Sequence, residues 1–420
     1  MNLNSFIAEL SKHGVQLWAE QDQLRIWAPK GVLTSELRNS LIEYKEELVK
    51  FFNQSNSNKK VAKSSSLAIQ TNPDQRYEPF PLTDLQQGYW VGRSGLLELS
   101  LGARYYLEIE SNNLELNRLS SVWQQLIKRH DMLRSIVLPS GEQQVLKQVS
   151  FEAIEILDFC GFNNDIVATE LEKIRQQMSR HTQPHAQCPF FEIRISRLDE
   201  NTVRLHLSFD LLIIDGRSLQ ILIQEMAELL KNSQTVLPPL EISFRDYAIA
   251  WQTWQDSEDY KQALEYWHNR IPKLPPGPEL PLAKQPSSLN NYHFTHLGTK
   301  LAPDTWLQIK KKAAKIGITP TIILFAAYAE VLTAWSKNSY FTLIFLYSNR
   351  LSALDKVNNL VGNFNSTILL EIDNSCQDNF ETRAKRLQRQ FWNDHQHNLV
   401  SGVQVIREIN RLQGERQRAI

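Results

Sequence analysis

The sequence has few cysteines and no long apolar run. Its three cysteines, Cys160, Cys188 and Cys376, are far apart and form no C-x-x-C pair, which argues against a disulfide framework and a thiolate zinc site. No stretch approaches the ~20 apolar residues of a membrane span. The N-terminus carries polar and charged residues where a signal peptide would have an apolar core. These absences predict a cytoplasmic protein with no membrane segment.

The charge balance argues against a polyanion as the partner. Lysine plus arginine and aspartate plus glutamate both number 46, so the formal net charge is zero. Without a positive field, nucleic-acid binding is not expected as a main function. The hydrophobic share of 42% is enough to bury cores. At ~150 residues per domain, the length predicts two or three folded units.

The first fifty residues have the pattern of a small separate module. A helical repeat of apolar residues occupies 3–10, alternation on both sides of Asp22 predicts a hairpin, and a second helical repeat occupies 37–48. We therefore assign residues 1–52 to one domain. The following Ser- and Asn-rich stretch, 53–78, cannot bury enough surface to offset its ordering entropy and is predicted to be a flexible linker.

After the linker, helical and alternating patterns follow each other and predict a mixed α/β chain. Helical patterns occupy 114–130, 219–230 and 320–335, and alternating patterns occupy 203–209, 341–347 and 367–372.

The strongest local signal is SFDLLIIDGRS at 208–218. An alternating apolar strand ends at Asp210, and Asp215 follows five residues later, before a glycine that permits a tight turn into a helix. Ser218 lies near the start of that helix, where its hydroxyl can cap the helix or contact a ligand. Taken alone, the motif fits a structural salt bridge and a helix cap better than a catalytic site.

Further motifs change this interpretation because they occur in a defined order around 208–218. They are FPLTDLQQGYWVGR at 80–93, RHDMLR at 129–134, LPPGPELPL at 274–282, TPTIILFAAYAEVLTAW at 319–335, SNR at 348–350, VGNFNSTILLEID at 361–373 and GVQVIREI at 402–409. Together they resemble the heterocyclisation (Cy) domains of nonribosomal peptide synthetases, from about residue 79 to the end.

The resemblance implies an α/β (α+β) fold with two lobes, related to chloramphenicol acetyltransferase. The lobes would span 79–270 and 271–420. Substrates would arrive on the 4′-phosphopantetheine of carrier domains and enter a tunnel between the lobes. Such domains join an acyl donor to carrier-bound cysteine, serine or threonine and then close a thiazoline or oxazoline. No directly bound cofactor is expected, and the spacing of the histidine pairs predicts no metal site.

The resemblance also assigns candidate roles within the 208–218 motif. Related acyltransferases carry H-H-x-x-x-D-G, and Asp210 and Leu211 stand where the two histidines would be. Leucine cannot take a proton, so the histidine-based mechanism is excluded. Asp210 is the first candidate at the amide-forming centre, as a base or, equally, through orientation and charge. Asp215 is expected to pair with Arg350, because a buried carboxylate needs a cation. With Ser218, these two aspartates form the predicted catalytic set.

Other positions within the family motifs are expected to support the site. They are Arg350, Asn349, Tyr89 and Arg93.

The chain departs from the family pattern in two places. Asn363 and Asn365 stand where an acid and a threonine are usual, and the chain stops at Ile420, before segments that carry cyclodehydration residues. The second lobe is therefore expected to be incomplete, and the chain alone is not expected to make a heterocycle. Two interpretations stay open here: an enzyme component completed downstream, or an inactive docking and scaffold fragment that binds carrier domains.

The N-terminal module resembles the TubC-type docking domains of hybrid peptide–polyketide synthetases, small units of ααβ type. In these domains an exposed hairpin accepts the acidic C-terminal segment of an upstream synthetase. Arg25 and Lys30 are candidates for that contact, although they fit ordinary solvated charges equally well. The expected partners are the upstream synthetase, carrier domains and a downstream adenylation domain. The acceptor residue, the acyl donor, the product and the oligomeric state stay open.

Overall fold

The chain divides into two compact units, Met1–Ala68 and Ile69–Ile420, in a computed structural model of the protein. The structure describes residues 16–20, 23–27, 40–41, 44, 69–92, 103–151, 154–180, 189–232, 234–284, 288, 297–350 and 355–413.

The smaller unit contains the predicted hairpin. Strands β1 (Gln16–Glu20) and β2 (Gln23–Trp27) pair antiparallel, with Trp18 opposite Arg25. The alternating pattern around Asp22 therefore predicted the backbone correctly. The flanking predicted helices and Lys30 lie outside the described residues, apart from short pieces of the second helix.

Seven strands in the first half of the larger unit form two sheets within the described ranges. The strands are β3 (Phe80–Pro81), β4 (Arg104–Asn112), β5 (Ser135–Val137), β6 (Glu142–Val145), β7 (Glu155–Asp158), β8 (Phe191–Arg197) and β9 (Thr202–Asp210). The sheet orders are β3-β6-β5 and β4-β9-β8-β7, and only β7 and β8 pair in parallel. Strand β9 is flanked on both sides, so its last residue is held firmly in place.

Ten α-helices and a further strand pair complete the described part of this unit. The helices are α1 (Asp84–Gly92), α2 (Leu116–Arg129), α3 (Asn164–Arg180), α4 (Gly216–Lys231), α5 (Phe244–Trp254), α6 (Glu258–Arg270), α7 (Pro303–Lys315), α8 (Pro320–Trp335), α9 (Phe380–Gln396) and α10 (Gly402–Gln413). Strands β10 (Tyr340–Ser348) and β11 (Asn365–Asp373) pair antiparallel. The helical and alternating patterns named above predicted α2, α4, α8, β9, β10 and β11 within a few residues.

The core of the first half lies between the four-stranded sheet and helices α2 and α4. The apolar stripe of α2, which includes Leu119 and Leu126, is buried, as its helical spacing requires. The Trp123 ring of the same helix contacts Phe191 of β8 and Phe209 of β9, with centroids 5.6 and 6.1 Å apart. This aromatic contact holds the C-terminal end of β9 against α2.

A segment from the second half of the unit inserts into this same core. Val361 and Phe364 are buried in one cluster with Phe244 and Tyr247 of α5. The Phe364 ring lies 4.9 Å from that of Phe244 and 4.7 Å from that of Tyr247, centroid to centroid. A Cβ atom on Gly362 would come within 2.2 Å of the Phe244 ring, so only glycine fits here. We name residues 355–364 the crossing segment.

The last ten residues of the predicted linker pack on the larger unit. Arg76 makes a bidentate ion pair with Asp131, with both contacts 2.8 Å long. Arg245 donates to the Glu78 carbonyl at 3.3 Å. Residues 69–78 thus have polar partners in the larger unit, which could not be predicted from their composition. We therefore propose that the folded unit begins near residue 69 and not at residue 79.

No single helix in the described ranges is long and apolar enough to cross a membrane. Helices α7 and α8 reach the required length and composition only when counted together across a bend of 100°. Helix α8 has a buried face, which includes Ile322, Ala326 and Ala329.

A buried histidine sits at the centre of β9. The Tyr106 hydroxyl lies 2.9 Å from a Glu108 oxygen and must donate to it, because a carboxylate only accepts. The tyrosine oxygen is therefore left to accept from Nδ1–H of His206 at 2.7 Å, while the Ser196 hydroxyl donates to Nε2 at 2.8 Å. The imidazole is thus neutral and fully hydrogen-bonded. Its burial lowers the pKa of His206 from 6.5 to about 4.

This shift predicts that the unit loses stability in mild acid. As the pH falls below 6.5 the unfolded chain binds a proton that the folded chain resists, so the free energy of unfolding should fall by up to ~3 kcal/mol on the way to pH 4. Urea unfolding at a series of pH values measures this slope. His206→Gln should flatten it, and His268→Gln on the exposed side of α6 should leave it unchanged. An unaltered slope in His206→Gln would contradict the assignment.

Candidate functional site

The turn between β9 and α4 carries the three predicted catalytic residues. Strand β9 ends at Asp210, and Asp215 caps α4 by accepting the Ser218 backbone N–H at 2.7 Å. All three side chains are buried, with at most 2% of each residue exposed. The sequence suggested Ser218 as the helix cap, but Ser218 occupies the third helical position. Asp215 is the cap because its extended backbone precedes the first turn.

Asp215 forms the predicted ion pair with Arg350. The Arg350 Nη2 and Nε atoms donate to the two carboxylate oxygens at 2.9 and 3.2 Å, and the Phe364 backbone N–H donates at 3.3 Å. The remaining Arg350 nitrogen, Nη1, donates to the carbonyls of Val357 and Leu360 at 2.8 and 2.9 Å. The Arg350 guanidinium also lies 4.1 Å from the Phe364 ring centroid. Asp215 therefore anchors the crossing segment.

The Ser218 hydroxyl ties the two halves of the unit together. It accepts from Arg350 Nη2 at 2.9 Å and from the Gly362 N–H at 3.0 Å. Its single proton can go to Asp215 at 2.7 Å or to the Gly362 carbonyl at 2.8 Å. Since a hydroxyl has one proton and two lone pairs, these contacts use its full capacity. The geometry therefore favours a structural role for Ser218, which links α4 to the crossing segment, over direct contact with a ligand.

Asp210 lies at the end of β9 with its carboxylate turned back onto the turn. One carboxylate oxygen accepts the Leu212 N–H at 2.9 Å, and the Asp210 backbone N–H donates to Phe190 at 2.9 Å. The Tyr89 phenol on α1 lies close enough to sense this carboxylate. Burial, together with the negative charge of Asp210, raises the pKa of Tyr89. The charge of Asp210 thus acts on Tyr89, and the assignment of both residues to the site stays a prediction.

Two side-chain amides hold the backbone carbonyls of this turn. Gln86 Nε2 donates to the Leu212 carbonyl at 2.6 Å, and Asn363 Nδ2 donates to the Leu211 carbonyl at 2.5 Å. Gln86 also makes a reciprocal amide pair with Gln143, both contacts 3.0 Å long. Gln86 belongs to the 80–93 motif, but the sequence alone predicted no role for it. The available signal was physical: carbonyls in a buried irregular turn need donors from elsewhere.

Of the other two residues predicted to support the site, Asn349 and Arg93, only Asn349 is described by the structure. Asn349 directly follows β10, where its N–H donates to the Phe364 carbonyl at 2.8 Å and its own carbonyl accepts from Tyr247 at 3.2 Å. Asn349 thus contributes through backbone hydrogen bonds, one of which is made to Phe364 of the crossing segment. Arg93 lies outside the described residues.

A small polar cavity lies next to the turn. It is lined by Asp84, Tyr247, Asn349, Asn363 and Asn365, among others. Burial raises the pKa of the Asp84 carboxyl, although a hydrogen bond from Ser401 opposes this effect. Amide and hydroxyl groups around a cavity are suited to polar, uncharged ligand groups. Among the residues that the structure describes, no cluster of three or more His, Cys, Asp or Glu side chains could hold a metal ion.

Comparison with protein families identifies both units. The condensation domain family matches residues 77–419, and the TubC N-terminal docking domain family matches residues 3–54. The chain therefore belongs to the condensation domain family of nonribosomal peptide synthetases. Its first unit is a TubC N-terminal docking domain. The family predicted from the ordered motifs is confirmed.

Similar proteins include two much longer chains. The chain is 32% identical to bacitracin synthase 1 of Bacillus licheniformis over 83% of its own length and 7% of that protein. It is 27% identical to pyochelin synthetase PchF of Pseudomonas aeruginosa over 99% of its own length and 22% of that protein. The chain thus spans less than a quarter of either relative.

A solved structure with both domains is also similar. The EpoB cyclization-docking bidomain from Sorangium cellulosum, part of a nonribosomal peptide synthetase, superposes with a TM-score of 0.84 at 35% identity. The match covers 99% of this chain and 81% of that chain. The mixed α/β condensation fold predicted from the sequence is confirmed by this similarity.

The buried pair of Asp215 and Arg350 predicts a large cost for removing either partner. Asp215→Ala leaves a buried guanidinium without its counter-charge, so the free energy of unfolding should fall by about 3–5 kcal/mol. Urea unfolding followed by tryptophan fluorescence measures the change. Glu241→Ala removes the partner of Lys356 in an exposed pair and should change stability by less than ~1 kcal/mol.

The double variant Asp215→Ala/Arg350→Ala separates pairing from packing. Its loss of stability should be clearly smaller than the sum of the two single losses, because no buried charge is left uncompensated. Additive losses would contradict a direct pair.

Proposed function

We propose that the larger unit joins a carrier-bound acyl or aminoacyl donor to a carrier-bound cysteine, serine or threonine. In the complete synthetase this step leads to a thiazoline or oxazoline. The observation that carries the proposal is the buried carboxylate of Asp210 at the end of β9, next to Tyr89, with Leu211 in the position of a histidine. The similarity to a cyclization-docking bidomain supports the cyclising branch of the family.

Peptide-bond formation here requires little proton chemistry from the protein. The acceptor amine forms a bond to the donor thioester carbon, the bond to the phosphopantetheine sulfur breaks, and the amine proton leaves as the thiol is released. A carboxylate at Asp210 orients the amine by accepting an N–H hydrogen bond. It also stabilises the positive charge that develops on nitrogen during attack. Neither Asp215 nor Ser218 can share this work, since their polar atoms are engaged in the ion-pair network.

The competing function is binding without catalysis. Asn363 and Asn365 replace an acid and a threonine of the family pattern, which favours a docking and scaffold role that recruits carrier domains. The two functions differ in one product. Only the enzyme releases a free carrier thiol as the amide forms on the acceptor carrier.

The test uses the chain with two separate carrier domains, one loaded with an acyl donor and one with cysteine. Amide formation on the acceptor carrier, followed by intact-protein mass spectrometry, is expected for the native chain. Asp210→Asn should lower the rate at least ~100-fold, because the carboxylate charge is lost. Its unfolding midpoint should stay unchanged, because the asparagine oxygen can still accept the Leu212 N–H. Asp304→Asn on the exposed side of α7 is the matched control.

One result would contradict the enzyme function, and another would contradict only the role of Asp210. Carrier binding by the native chain without any amide would favour the scaffold function. Full activity of Asp210→Asn would remove the proposed role of this carboxylate.

We also propose that the hairpin of the docking domain binds an acidic C-terminal segment of an upstream synthetase. Arg25 lies in β2 opposite Trp18, at the middle of the hairpin, and Lys30 follows it along the chain. A downstream adenylation domain and a cytoplasmic location remain proposals from the sequence analysis. The same holds for the delivery of substrates on 4′-phosphopantetheine.

Charge reversal tests the docking proposal. Arg25→Glu and Lys30→Glu should each weaken binding of an acidic peptide by roughly tenfold, and added salt should weaken binding to the native chain. Fluorescence anisotropy with a labelled acidic peptide measures both effects. Arg407→Glu, in the larger unit, is the control and should leave the affinity unchanged. Salt-independent binding would contradict an electrostatic contact.

A further inference from the structure

Asn363 joins the crossing segment to the catalytic turn through a single peptide group. Its Nδ2 donates to the Leu211 carbonyl at 2.5 Å, and its Oδ1 accepts the Asn365 backbone N–H at 3.0 Å. Only 1% of Asn363 is exposed. The two contacts fix the orientation of the amide, since one needs a donor and the other an acceptor.

The peptide group that Asn363 holds is also the one that contacts Asp210. The Leu211 carbonyl and the Leu212 N–H belong to the same planar unit, and this N–H donates to the Asp210 carboxylate at 2.9 Å. Because a peptide group is rigid, a donor that fixes the Leu211 carbonyl also fixes the direction of the Leu212 N–H. Hydrogen bonds linked through a peptide also polarise one another. The chain of contacts therefore runs from Asn363 to the Asp210 carboxylate without a gap.

An acid at position 363 could not make both contacts while ionised. A carboxylate accepts the Asn365 N–H but turns its second oxygen toward the Leu211 carbonyl, and two acceptors at hydrogen-bond distance repel each other. The buried carbonyl then also lacks its donor. The acid that is usual at this position in the family could therefore make both contacts only in its protonated form.

We propose that Asn363 is a positioning residue for Asp210, acting through the peptide group between Leu211 and Leu212. The amide keeps this connection intact at any physiological pH, whereas an acid would make it depend on protonation. The role in turnover rests on the proposed function, while the connection itself does not.

The variant Asn363→Asp tests the connection. At pH 8 its carboxylate should repel the Leu211 carbonyl, and the melting temperature should lie about 4 °C below that of the native chain. At pH 5.5 a larger share of the acid is protonated and can donate, so this deficit should shrink. The folded state gains from the proton and the unfolded state does not, which fixes the sign.

Asn365→Asp is the matched control. It makes the same chemical change two residues later, where the contact is made by the backbone N–H and not by the side chain. Any deficit in this variant should be independent of pH. The ionisable groups near both positions are the same in every variant and cancel in the comparison; they are Asp84, Tyr89, Asp210, Asp215, Tyr247 and Arg350. A deficit in Asn363→Asp that is equal at both pH values overturns the proposal.

Turnover distinguishes positioning from packing. With native carriers, Asn363→Asp should lower kcat at least ~10-fold at pH 8 with little change in KM for the acceptor carrier, and kcat should recover toward pH 5.5. In an Asp210→Asn background the further loss should be small, because the two residues act in series. Equal losses in both backgrounds would overturn the positioning role. A pH-dependent melting deficit in a chain that makes no amide would instead refute the proposed function and leave the connection in place.

Discussion

The buried ion pair of Asp215 and Arg350 is the contact on which the candidate site depends. It joins the start of α4 to the end of β10 across more than a hundred residues of chain, and it gives the crossing segment its polar partners. Two charges this deeply buried are favourable only as a pair with their remaining hydrogen bonds satisfied, and here each of them is. Ser218 and the Phe364 ring complete the same junction. Without it, the apolar packing of Val361 and Phe364 would remain, but the buried carbonyls of the crossing segment would lose their donor.

This junction distinguishes the residues of the 208–218 motif that have a structural role from the one with a proposed chemical role. Asp215 and Ser218 are committed to holding the two halves together, and their hydrogen-bonding capacity is used in doing so. Asp210, five residues earlier, is held by its own turn, and burial together with the charge of Asp210 raises the pKa of Tyr89. The proposed division of roles follows: one aspartate maintains the site and the other serves the reacting amine. Gln86 and Asn363 keep the turn between them in one conformation.

Helices and strands with a short-period apolar pattern were predicted well. Contacts between distant residues were predicted only where a buried charge required a partner. The alternation of β9 and the apolar stripe of α2 depend on neighbours in the chain, so their periodicity is legible in the sequence. The partner of Asp215 could be predicted because a buried carboxylate needs a cation and the motifs supplied Arg350. Residues 69–78 were predicted to belong to the linker because their composition is polar. In the structure Arg76 of this segment is paired with Asp131 of the larger unit.

The sequence by itself determined the class of the chain, the order of its two domains, the helices and strands around the site, and the exclusion of a histidine mechanism by Leu211. The helices and strands follow from residue identity and local spacing, whereas the class and the excluded mechanism follow from the resemblance of the ordered motifs to a known family. Only the tertiary structure decided that Ser218 is hydrogen-bonded to Gly362, and that Gln86 and Asn363 hold the carbonyls next to Asp210. A hydrogen bond between residues 126 to 152 positions apart depends on how the intervening chain folds, and no local pattern encodes that path.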